Sequence, residues 1–463
     1  MADSIKKDLA DATLVESMKG SDQVFIEQSS GINRISLTDL MKSAGETKAS
    51  LESYAFYLDV NISSSKGASY IDSGGSALMK SLWLSEFFGA LMDKQGHYTK
   101  LNPNDFRYTA DGEKVLDIVR DETNKTITYT IADAYKNAQW MGIGPDTYEY
   151  ADPDVVGRVW LSLMPIPGGR HIGRAKGGMF KINLSGGTAY SKPGVTTLGD
   201  SQNVMTFFDA AQKYSKNYGL AGRNLFGKIL LYYMFAKYGY RDSQGCSASD
   251  GTKIWGVGLD GTETTTQTDR WQKFVKQRSI LTGATLGLGI ADGNAAVWDG
   301  DGNVCHSVKV GPWENPWGQE WEDDGHACSV GSTVYVWDGL FIPRGTPTAD
   351  SFANIDHYTL TRQTSDIDNN IKMFIDAKNN RVAMYPVGSM SGVAYHDYVW
   401  NNSTGQLWLA GGASRNGSKC GLGCSPSNNA WSASASDISA RLEYFGDIEE
   451  VSSAKLKEYL AAA

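Results

Sequence analysis

The pair Cys420 and Cys424 is the clearest place in the sequence where side chains could do chemistry. Two thiols four positions apart can lie close across a turn, and a thiolate is a nucleophile and a redox group. Reactivity needs a lowered thiol pKa, and only Arg415 and Lys419 lie nearby in sequence to provide positive charge. The chain has five cysteines, an odd number, and its N-terminus lacks the apolar core of a secretory signal. Because such a chain is made in a reducing compartment, we expect all five cysteines to be free thiols.

A second group, Asp299, Asp301 and Asn303, alternates along WDGDGNV as the first ligands of a calcium loop do. The glycine required at the sixth loop position is missing, and Val310 stands where a bidentate glutamate belongs. A hairpin turn explains the pattern better. The histidines are scattered and form no HExxH motif, and no carboxylate pair stands out as a glycosidase pair. The sequence therefore predicts no metal and no cofactor.

Composition and charge exclude two classes of partner. The formal net charge is −9 and no run of five Lys or Arg occurs, so a phosphate backbone would be repelled and nucleic acid is not expected. No apolar stretch approaches the roughly 18 residues of a membrane-spanning helix, so membrane insertion is not expected.

Hydrophobic residues make up 41% of the chain, which is enough to build cores. The length of 463 residues suggests about two to four domains.

Abundant glycine, tyrosine and tryptophan with few prolines predict many short strands and irregular turns. Residues 1–50 are predicted to form a small module of their own, in which 23–28 and 32–37 pair as a hairpin and a short helix covers 39–43. Residues 51–150 contain alternating strand patterns, which predict a β-rich spacer or insertion domain.

Two helices are predicted beyond residue 151. Residues 204–218 carry Phe207, Ala211 and Tyr214 at helical spacing. Residues 224–238 are apolar on nearly all sides, which is typical of a buried helix.

The segment 406–448 has an unusual composition. It starts with a hydrophobic run into a Gly-Gly pair, continues through small and polar residues around Trp431, and ends on alternating apolar residues. Small polar residues bury too little apolar area to build a core, so we predict a displayed loop between two anchors. Near its end, serines alternate with Ala433, Ala435 and Asp437, which suggests one fixed face and one variable face.

The order LAGGASRNGSKCGLG…NNAWSASASDISARL resembles the variable region of phage receptor-binding proteins of the major tropism determinant type. Those proteins carry a C-type-lectin-like domain and are often diversified by retroelements. Further stretches resemble the same family, namely RNLFGKILLYYMFAKYGYRDSQG, VGPWENPWGQEWEDDG and SGVAYHDYVW. Gln319 departs from the family pattern, which has asparagine at this position. The resemblance implies an α+β fold, with β-rich N-terminal and spacer regions followed by a lectin-like domain of two helices and many short strands.

The same resemblance implies an organisation and a function. A virion-attachment segment would occupy 1–50, a spacer 51–150, and a lectin-like receptor-binding domain 151–448. Beyond the resemblance, the pattern of residues 453–460 predicts a short capped helix in the C-terminal segment 449–463, as an oligomer contact or a tail. The protein would be a tail or head fibre adhesin, commonly a homotrimer, that is synthesised in the host cytoplasm and displayed on the virion. Its expected partners are a bacterial surface glycan or protein and, through the N-terminus, other virion proteins.

The family also implies roles for individual residues. A constant frame is expected to hold the loop at Gly411, Gly412, Trp431, Ala440 and Arg441. Trp431 could stack on a receptor, but its place in the frame favours a buried role that fixes the loop. The receptor-binding positions expected between the frame residues are Ser414, Arg415, Asn416, Ser425, Ser427, Asn428, Asn429, Ala433, Ala435 and Asp437.

Alternatives remain open on the same fold. The formylglycine-generating enzymes, a related branch, oxidise a substrate cysteine with a pair of active-site thiols, for which Cys420 and Cys424 would be the candidates. Calcium-dependent sugar binding, as in other C-type lectins, is disfavoured because residues 314–316 and 400–402 depart from the required blocks. A third possibility is a non-binding decoration or spike protein. In that case the loop packs against a neighbouring subunit.

Overall fold

The structure of the protein is a computed structural model. It describes residues 48–62, 71–196, 202–239, 275–277, 279–369, 371–389 and 395–462, together with the backbone of 13–14, 23–28 and 31–36. Within these ranges the chain is rich in short strands, with several helices and mixed sheets, which agrees with the predicted α+β class.

The α-helices are α1 (Lys48–Tyr54), α2 (Ala77–Ser85), α3 (Val204–Tyr214), α4 (Phe226–Tyr238) and α5 (Ser453–Ala462). The strands of the first half are β1 (Thr13–Leu14), β2 (Gln23–Gln28), β3 (Gly31–Ser36), β4 (Phe56–Asp59), β5 (Ser73–Gly75), β6 (Phe88–Met92), β7 (His97–Asn102), β8 (Asp105–Thr109), β9 (Leu116–Asp121), β10 (Thr126–Ile131), β11 (Gln139–Ile143), β12 (Thr147–Ala151), β13 (Arg158–Ser162), β14 (Arg170–Gly173), β15 (Lys176–Lys181), β16 (Asn183–Ser185), β17 (Thr188–Tyr190) and β18 (Tyr218–Leu220). Those of the second half are β19 (Gly293–Trp298), β20 (Val304–Val310), β21 (Trp313–Glu314), β22 (Trp321–Val330), β23 (Thr333–Trp337), β24 (His357–Thr361), β25 (Ile367–Asn369), β26 (Ile371–Asp376), β27 (Arg381–Ser389), β28 (Tyr395–Val399), β29 (Leu407–Ala410), β30 (Ile438–Ser439), β31 (Arg441–Tyr444) and β32 (Glu449–Glu450).

The N-terminal hairpin is confirmed. Strands β2 and β3 pair antiparallel, with Gln28 opposite Gly31 at the turn, and β1 adds to the free side of β2. The helix predicted at 39–43 lies outside the described residues.

A central sheet joins strands from distant parts of the sequence. Its order is β18–β31–β15–β11–β6–β7–β32, and β8 pairs with β7. Strand β31, near the end of the chain, therefore lies between two much earlier strands: it pairs with β15, which precedes α3, and with β18, which follows α3. A second sheet, β14–β12–β13–β4–β5, is also built from strands on both sides of residue 150.

This topology corrects the predicted division into a spacer (51–150) and a lectin-like domain (151–448). Strand β4 pairs with β13, and β11 pairs with β15, so the boundary at 150 would cut both sheets. One hydrophobic core also runs from Leu51 to Leu422. The described residues on the two sides of position 150 therefore share sheets and a core where two domains were expected.

Helix α4 was predicted at 224–238 and begins at Phe226, two residues later. Its side chains are buried nearly all round, and Gly239 ends it in the left-handed conformation (φ 65°). Helix α3 ends at Tyr214, although the spacing predicted helix to 218, because Ser215 is extended and Tyr218 starts strand β18. Pairing of β18 with β31 thus outweighs the local helical pattern.

The predicted C-terminal helix is confirmed as α5, and it belongs to the body of the molecule. Leu456 and Leu460 are buried in the core that contains Leu101 and Tyr135. Strand β32, just before it, pairs parallel with β7. Among the helices described, none has the length and apolarity needed to cross a membrane.

Candidate recognition face

The loop segment, residues 406–448, is anchored at both ends by buried strands. Strand β29 pairs with β22, and Leu407, Trp408 and Leu409 on it are almost fully buried. Strand β31 enters the central sheet at the other end. The predicted arrangement of two anchors is therefore present.

Gly411 and Gly412 begin the loop in a conformation that other residues rarely adopt. Their φ angles are 81° and 84°. A Cβ on Gly411 would lie 2.7 Å from the Pro316 carbonyl oxygen, and one on Gly412 would lie 2.8 Å from Cys420 Sγ. The backbone runs too close to its neighbours for a side chain, which is a physical reason for glycine at both frame positions.

Trp431 is 1% exposed, in agreement with a buried role that fixes the loop. Its indole Nε1 donates a hydrogen bond to the carbonyl oxygen of Pro343 at 3.0 Å. The ring packs in the same hydrophobic core as Trp321 and Ile438. Trp431 therefore cannot stack on a receptor without leaving its site.

Arg441 is fully buried and joins the end of the loop to the sheets. Its Nη2 lies 2.8 Å from Glu322 Oε1, and its Nη1 donates to the carbonyl oxygens of Gly178 and Met179. Burial alone would raise the pKa of Glu322, but the charges of Arg441 and Lys181 hold it below its ordinary value. Ala440 beside it is also fully buried, as expected for the frame.

Four positions predicted to be displayed are buried instead: Ser414, Ser425, Ser427 and Asp437. This corrects the sequence interpretation. Small residues are compatible with exposure, but they also allow two loop backbones to pack closely, and here the second possibility holds.

Two of these buried residues have clear structural partners. Ser427 Oγ donates to Asn401 Oδ1 at 2.7 Å and accepts a hydrogen bond from Arg362 Nη1 at 2.7 Å. Asp437 accepts from Arg415 Nε at 2.8 Å, so the predicted binding residue Arg415 is neutralised by another predicted binding residue. These side chains hold the loop in shape.

The remaining predicted positions reach the surface to different degrees. Asn428 is exposed, and Asn429 and Asn416 are partly exposed. Ala433 and Ala435 are partly exposed, and each also packs against the hydrophobic core.

The alternation near the end of the loop was assigned to the wrong face. Ser432 and Ser434, which were not predicted as binding residues, are exposed, and so is Ala430. The predicted period of two is present, since exposed Ser432 and Ser434 alternate with the less exposed Ala433 and Ala435. The sequence alone did not indicate which set of residues faces the core, because alanine and serine are nearly equal in size.

Sequence reasoning also missed an aromatic pair beside the loop. The rings of Tyr398 and Trp400 are 4.3 Å apart and both are partly exposed. Trp321 meets Trp400 edge-on at 5.6 Å, and Lys419 Nζ lies 4.4 Å from the centre of the Tyr398 ring. The family-like stretch SGVAYHDYVW contained the signal, since aromatic residues next to a variable loop are candidates for its binding surface.

The aromatic pair and the loop are directly connected. The amide N–H of Ser427 donates to the Trp400 carbonyl oxygen at 2.8 Å, and Asn402 Nδ2 donates to the Asn428 carbonyl oxygen at 3.2 Å. We call the resulting surface the recognition face. It consists of Tyr398, Trp400, Lys419, Asn428, Asn429, Ala430, Ser432 and Ser434.

The cysteine pair lies beneath this surface, not on it. Cys420 Sγ donates to the Ala413 carbonyl oxygen at 2.9 Å, and Cys424 Sγ donates to that of Tyr398 at 2.9 Å. Burial raises the pKa of both thiols, which disfavours the reactive thiolate. In the described part of the chain, Cys305, Cys328, Cys420 and Cys424 form no disulfide, as predicted; Cys246 lies outside it.

The aspartates at 299 and 301 form a hairpin turn, as predicted. Asp299 Oδ1 accepts the backbone N–H groups of Asp301 and Asn303, both at 2.9 Å, and the turn joins paired strands β19 and β20. The described residues contain no group of three His, Cys, Asp or Glu side chains arranged for a metal ion.

Comparison with known proteins gives no family assignment. No protein-family model matches the chain, and no curated protein matches it.

Proposed function

We propose that the chain is a phage virion protein, a tail or head fibre adhesin, and that it binds a bacterial surface receptor through the recognition face. The observation that carries this proposal is a contrast within the loop segment. Buried glycines, Trp431 and Arg441 fix its backbone, while Asn428, Ala430, Ser432 and Ser434 are presented to solvent.

A fixed backbone with exchangeable surface residues suits recognition. Side chains at exposed positions can change without disturbing the core, and a rigid loop loses little conformational entropy when it binds. The partly exposed rings of Tyr398 and Trp400 supply contact area, and the amides of Asn428 and Asn429 supply adaptable hydrogen bonds. This combination is typical of binding surfaces that vary in specificity.

The arrangement of the helices supports a C-type-lectin-like assignment for the region that presents the face. In the fold that the resemblance implies, a pair of helices flanks twisted strands. Here α3 and α4 come directly before and after strand β18 in the chain, α3 packs against β18, and β31 returns from the loop to lie between β15 and β18. The lectin-like identity of this region is part of the proposal.

The proposal includes an assembly. Residues 1–50 would attach the protein to the virion, and a homotrimer would present three recognition faces to one cell. Several weak sites on one particle raise the overall affinity through effective concentration.

Two other functions are less well supported. The oxidase alternative requires accessible, acidic thiols, whereas Cys420 and Cys424 are buried with raised pKa values. A purely structural decoration protein would need no partly exposed aromatic pair with a cation beside it.

Binding to intact host bacteria tests the proposal. The full chain, fluorescently labelled, is expected to bind cells of the host strain, and Asn428→Arg or Ser434→Arg should reduce binding about tenfold or more by blocking the face. Ala454→Arg on the exposed side of α5 is the matched control and should bind as wild type. If wild type does not bind, or all three variants bind equally, the face is not the receptor site.

Attachment to the virion is tested separately. Deleting residues 1–50 should leave host-cell binding intact and remove the protein from purified particles. Particles that still incorporate the truncated chain would contradict the assignment of the N-terminus.

A further inference from the structure

A cleft of about 550 Å³ lies between two hairpins, well outside the loop segment in sequence. One wall is the β9–β10 hairpin with its turn, and the other is the β19–β20 hairpin with its turn. A volume of this size lies within the range of small-molecule sites. We call it the hairpin cleft.

The floor of the hairpin cleft is apolar and its rim is polar. Ile127, Ile280, Val297 and Trp298 lie along the floor, and the last three are buried. Lys125, Asn124, Ser279 and Asp301 lie along the exposed rim. A ligand that fits must therefore be compact, with an apolar face and several hydrogen-bonding groups at its edge.

The indole at the bottom of the cleft is held in place. The Arg120 guanidinium lies 4.4 Å from the centre of the Trp298 ring, and its Nη1 donates to the Ala296 carbonyl oxygen at 2.8 Å. A ring fixed in this way needs no further ordering before a ligand contacts the part of it that remains accessible.

Lys125 occupies a position in the hairpin turn that normally favours glycine or asparagine. Its φ angle is 54°, in the left-handed region where a side chain is strained. The side chain extends to the rim of the cleft, where its Nζ lies 5.3 Å from the Trp298 ring centre. The Glu122 carboxylate is 3.8 Å away, too far for a hydrogen bond. Backbone strain at the edge of a cleft is a reason to look for a function.

The rim carries charges of both signs, which decides against an anion or a cation as the ligand. Lys125 supplies a positive charge and Asp301 a negative charge at the rim, and Asp301 Oδ2 also pairs with Lys276 Nζ at 2.5 Å. The rim therefore offers both hydrogen-bond donors and acceptors above an apolar floor. Hydroxyl groups serve as donors and acceptors at once, so they match such a rim.

We propose that the hairpin cleft binds a neutral saccharide of one or two rings. The apolar face of a sugar ring would lie over Ile127 and the part of the Trp298 ring that remains accessible. Its hydroxyls would accept from Lys125 and donate to Asp301. This site is separate from the recognition face and does not depend on the function proposed for it.

Saturation-transfer NMR with the full chain tests this proposal. The probes are glucose, galactose, N-acetylglucosamine, maltose and lactose, and hexanol serves as an apolar probe without a ring of hydroxyls. At least one sugar is expected to bind with a millimolar dissociation constant. If none binds, or if hexanol alone binds, the assignment is wrong.

Two variants locate the binding. Lys125→Gly should weaken sugar binding about fivefold or more while the melting temperature stays equal or rises, because glycine relieves the left-handed strain. Asp301→Asn should weaken binding by a similar factor. Lys378→Gly, an exposed lysine in the turn between β26 and β27, is the matched control and should bind as wild type. Sugar binding that both cleft variants retain in full would overturn the proposal.

Discussion

Arg441 and Glu322 illustrate what single residues contribute to this fold. A buried ion pair gains little over a well-packed apolar pair, but removing one partner leaves a charge without compensation. The pair also lies where the loop segment joins the central sheet, so its loss affects the base of the recognition face.

We predict that Arg441→Met lowers the free energy of unfolding by about 3–5 kcal/mol, because Glu322 stays buried with only Lys181, 3.7 Å away, to balance it. Adding Glu322→Gln should recover part of this loss. The exposed pair Arg344 and Asp209 provides the control, since Arg344→Met should cost less than about 1 kcal/mol. Urea unfolding measures the free energy of unfolding of Arg441→Met, of the double variant and of Arg344→Met. Equal losses of stability in the two single arginine variants would contradict the buried-charge argument.

Glu443 gives a prediction on pH. Burial raises its pKa to about 8 from the ordinary 4.5, so the folded protein holds a proton that the unfolded chain releases. The stabilising contribution of Glu443 is complete below pH 4.5, the pKa in the unfolded chain. It is lost as pH rises through about 8, the pKa in the folded protein.

The measurement is the difference in free energy of unfolding, wild type minus Glu443→Gln. This difference should fall by about 1 kcal/mol per pH unit between pH 5 and 8. Other buried groups with shifted pKa values, such as Lys309, titrate in both proteins and cancel in the difference. A difference that stays constant across this range would show that Glu443 is ionised in the folded state.

Among the elements, the glycine turn that begins the loop segment has the strictest requirements. Gly412 combines a left-handed φ of 84° with a close approach to Cys420. Gly339 has nearly the same φ, 86°, but a Cβ added there would have no atom within 4 Å. Comparing the two separates backbone strain from steric contact.

We predict that Gly339→Ala costs about 1 kcal/mol from strain alone, and that Gly412→Ala costs about 2 kcal/mol or more. Gly412→Ala should also weaken host-cell binding, since the turn positions the recognition face. Thermal unfolding and the cell-binding assay provide the measurements. Equal costs at both positions would mean that the contact with Cys420 relaxes freely.

Elements with a strong local signal were predictable from the sequence. The N-terminal hairpin, α4 and α5 have clear periodicity or turn residues, and the structure contains all three. The end of α3 was not predictable, because Tyr218 joins a strand whose partner, β31, lies far away in sequence. The exposed face of the loop was not predictable either, since serine and alanine carry no strong preference for one side.

At the scale of the whole molecule, the predicted spacer is part of a common core. Residues 51–150 supply strands whose partners lie beyond residue 150, such as β4 with β13 and β11 with β15. No composition shift or linker marks these pairings, so the sequence could not reveal them.

A fragment of residues 51–150 should therefore fail to fold on its own. We expect poor chemical-shift dispersion in its NMR spectrum and rapid proteolysis, because its sheets lack their neighbours and expose apolar faces. The chain from residue 51 to the C-terminus should unfold in one transition under the same conditions. A stable, protease-resistant 51–150 fragment would restore the spacer as a domain.

The position of β31 between β15 and β18 has a consequence for synthesis of the protein in the cell. Strand β15 ends at Lys181, but its partner β31 starts only at Arg441. At about 5–20 residues per second, a ribosome takes tens of seconds to make the chain between them. During that time β15 and β18 have open edges that other nascent chains could pair with. Chaperones that shield such edges should therefore determine how much of this protein reaches its folded state.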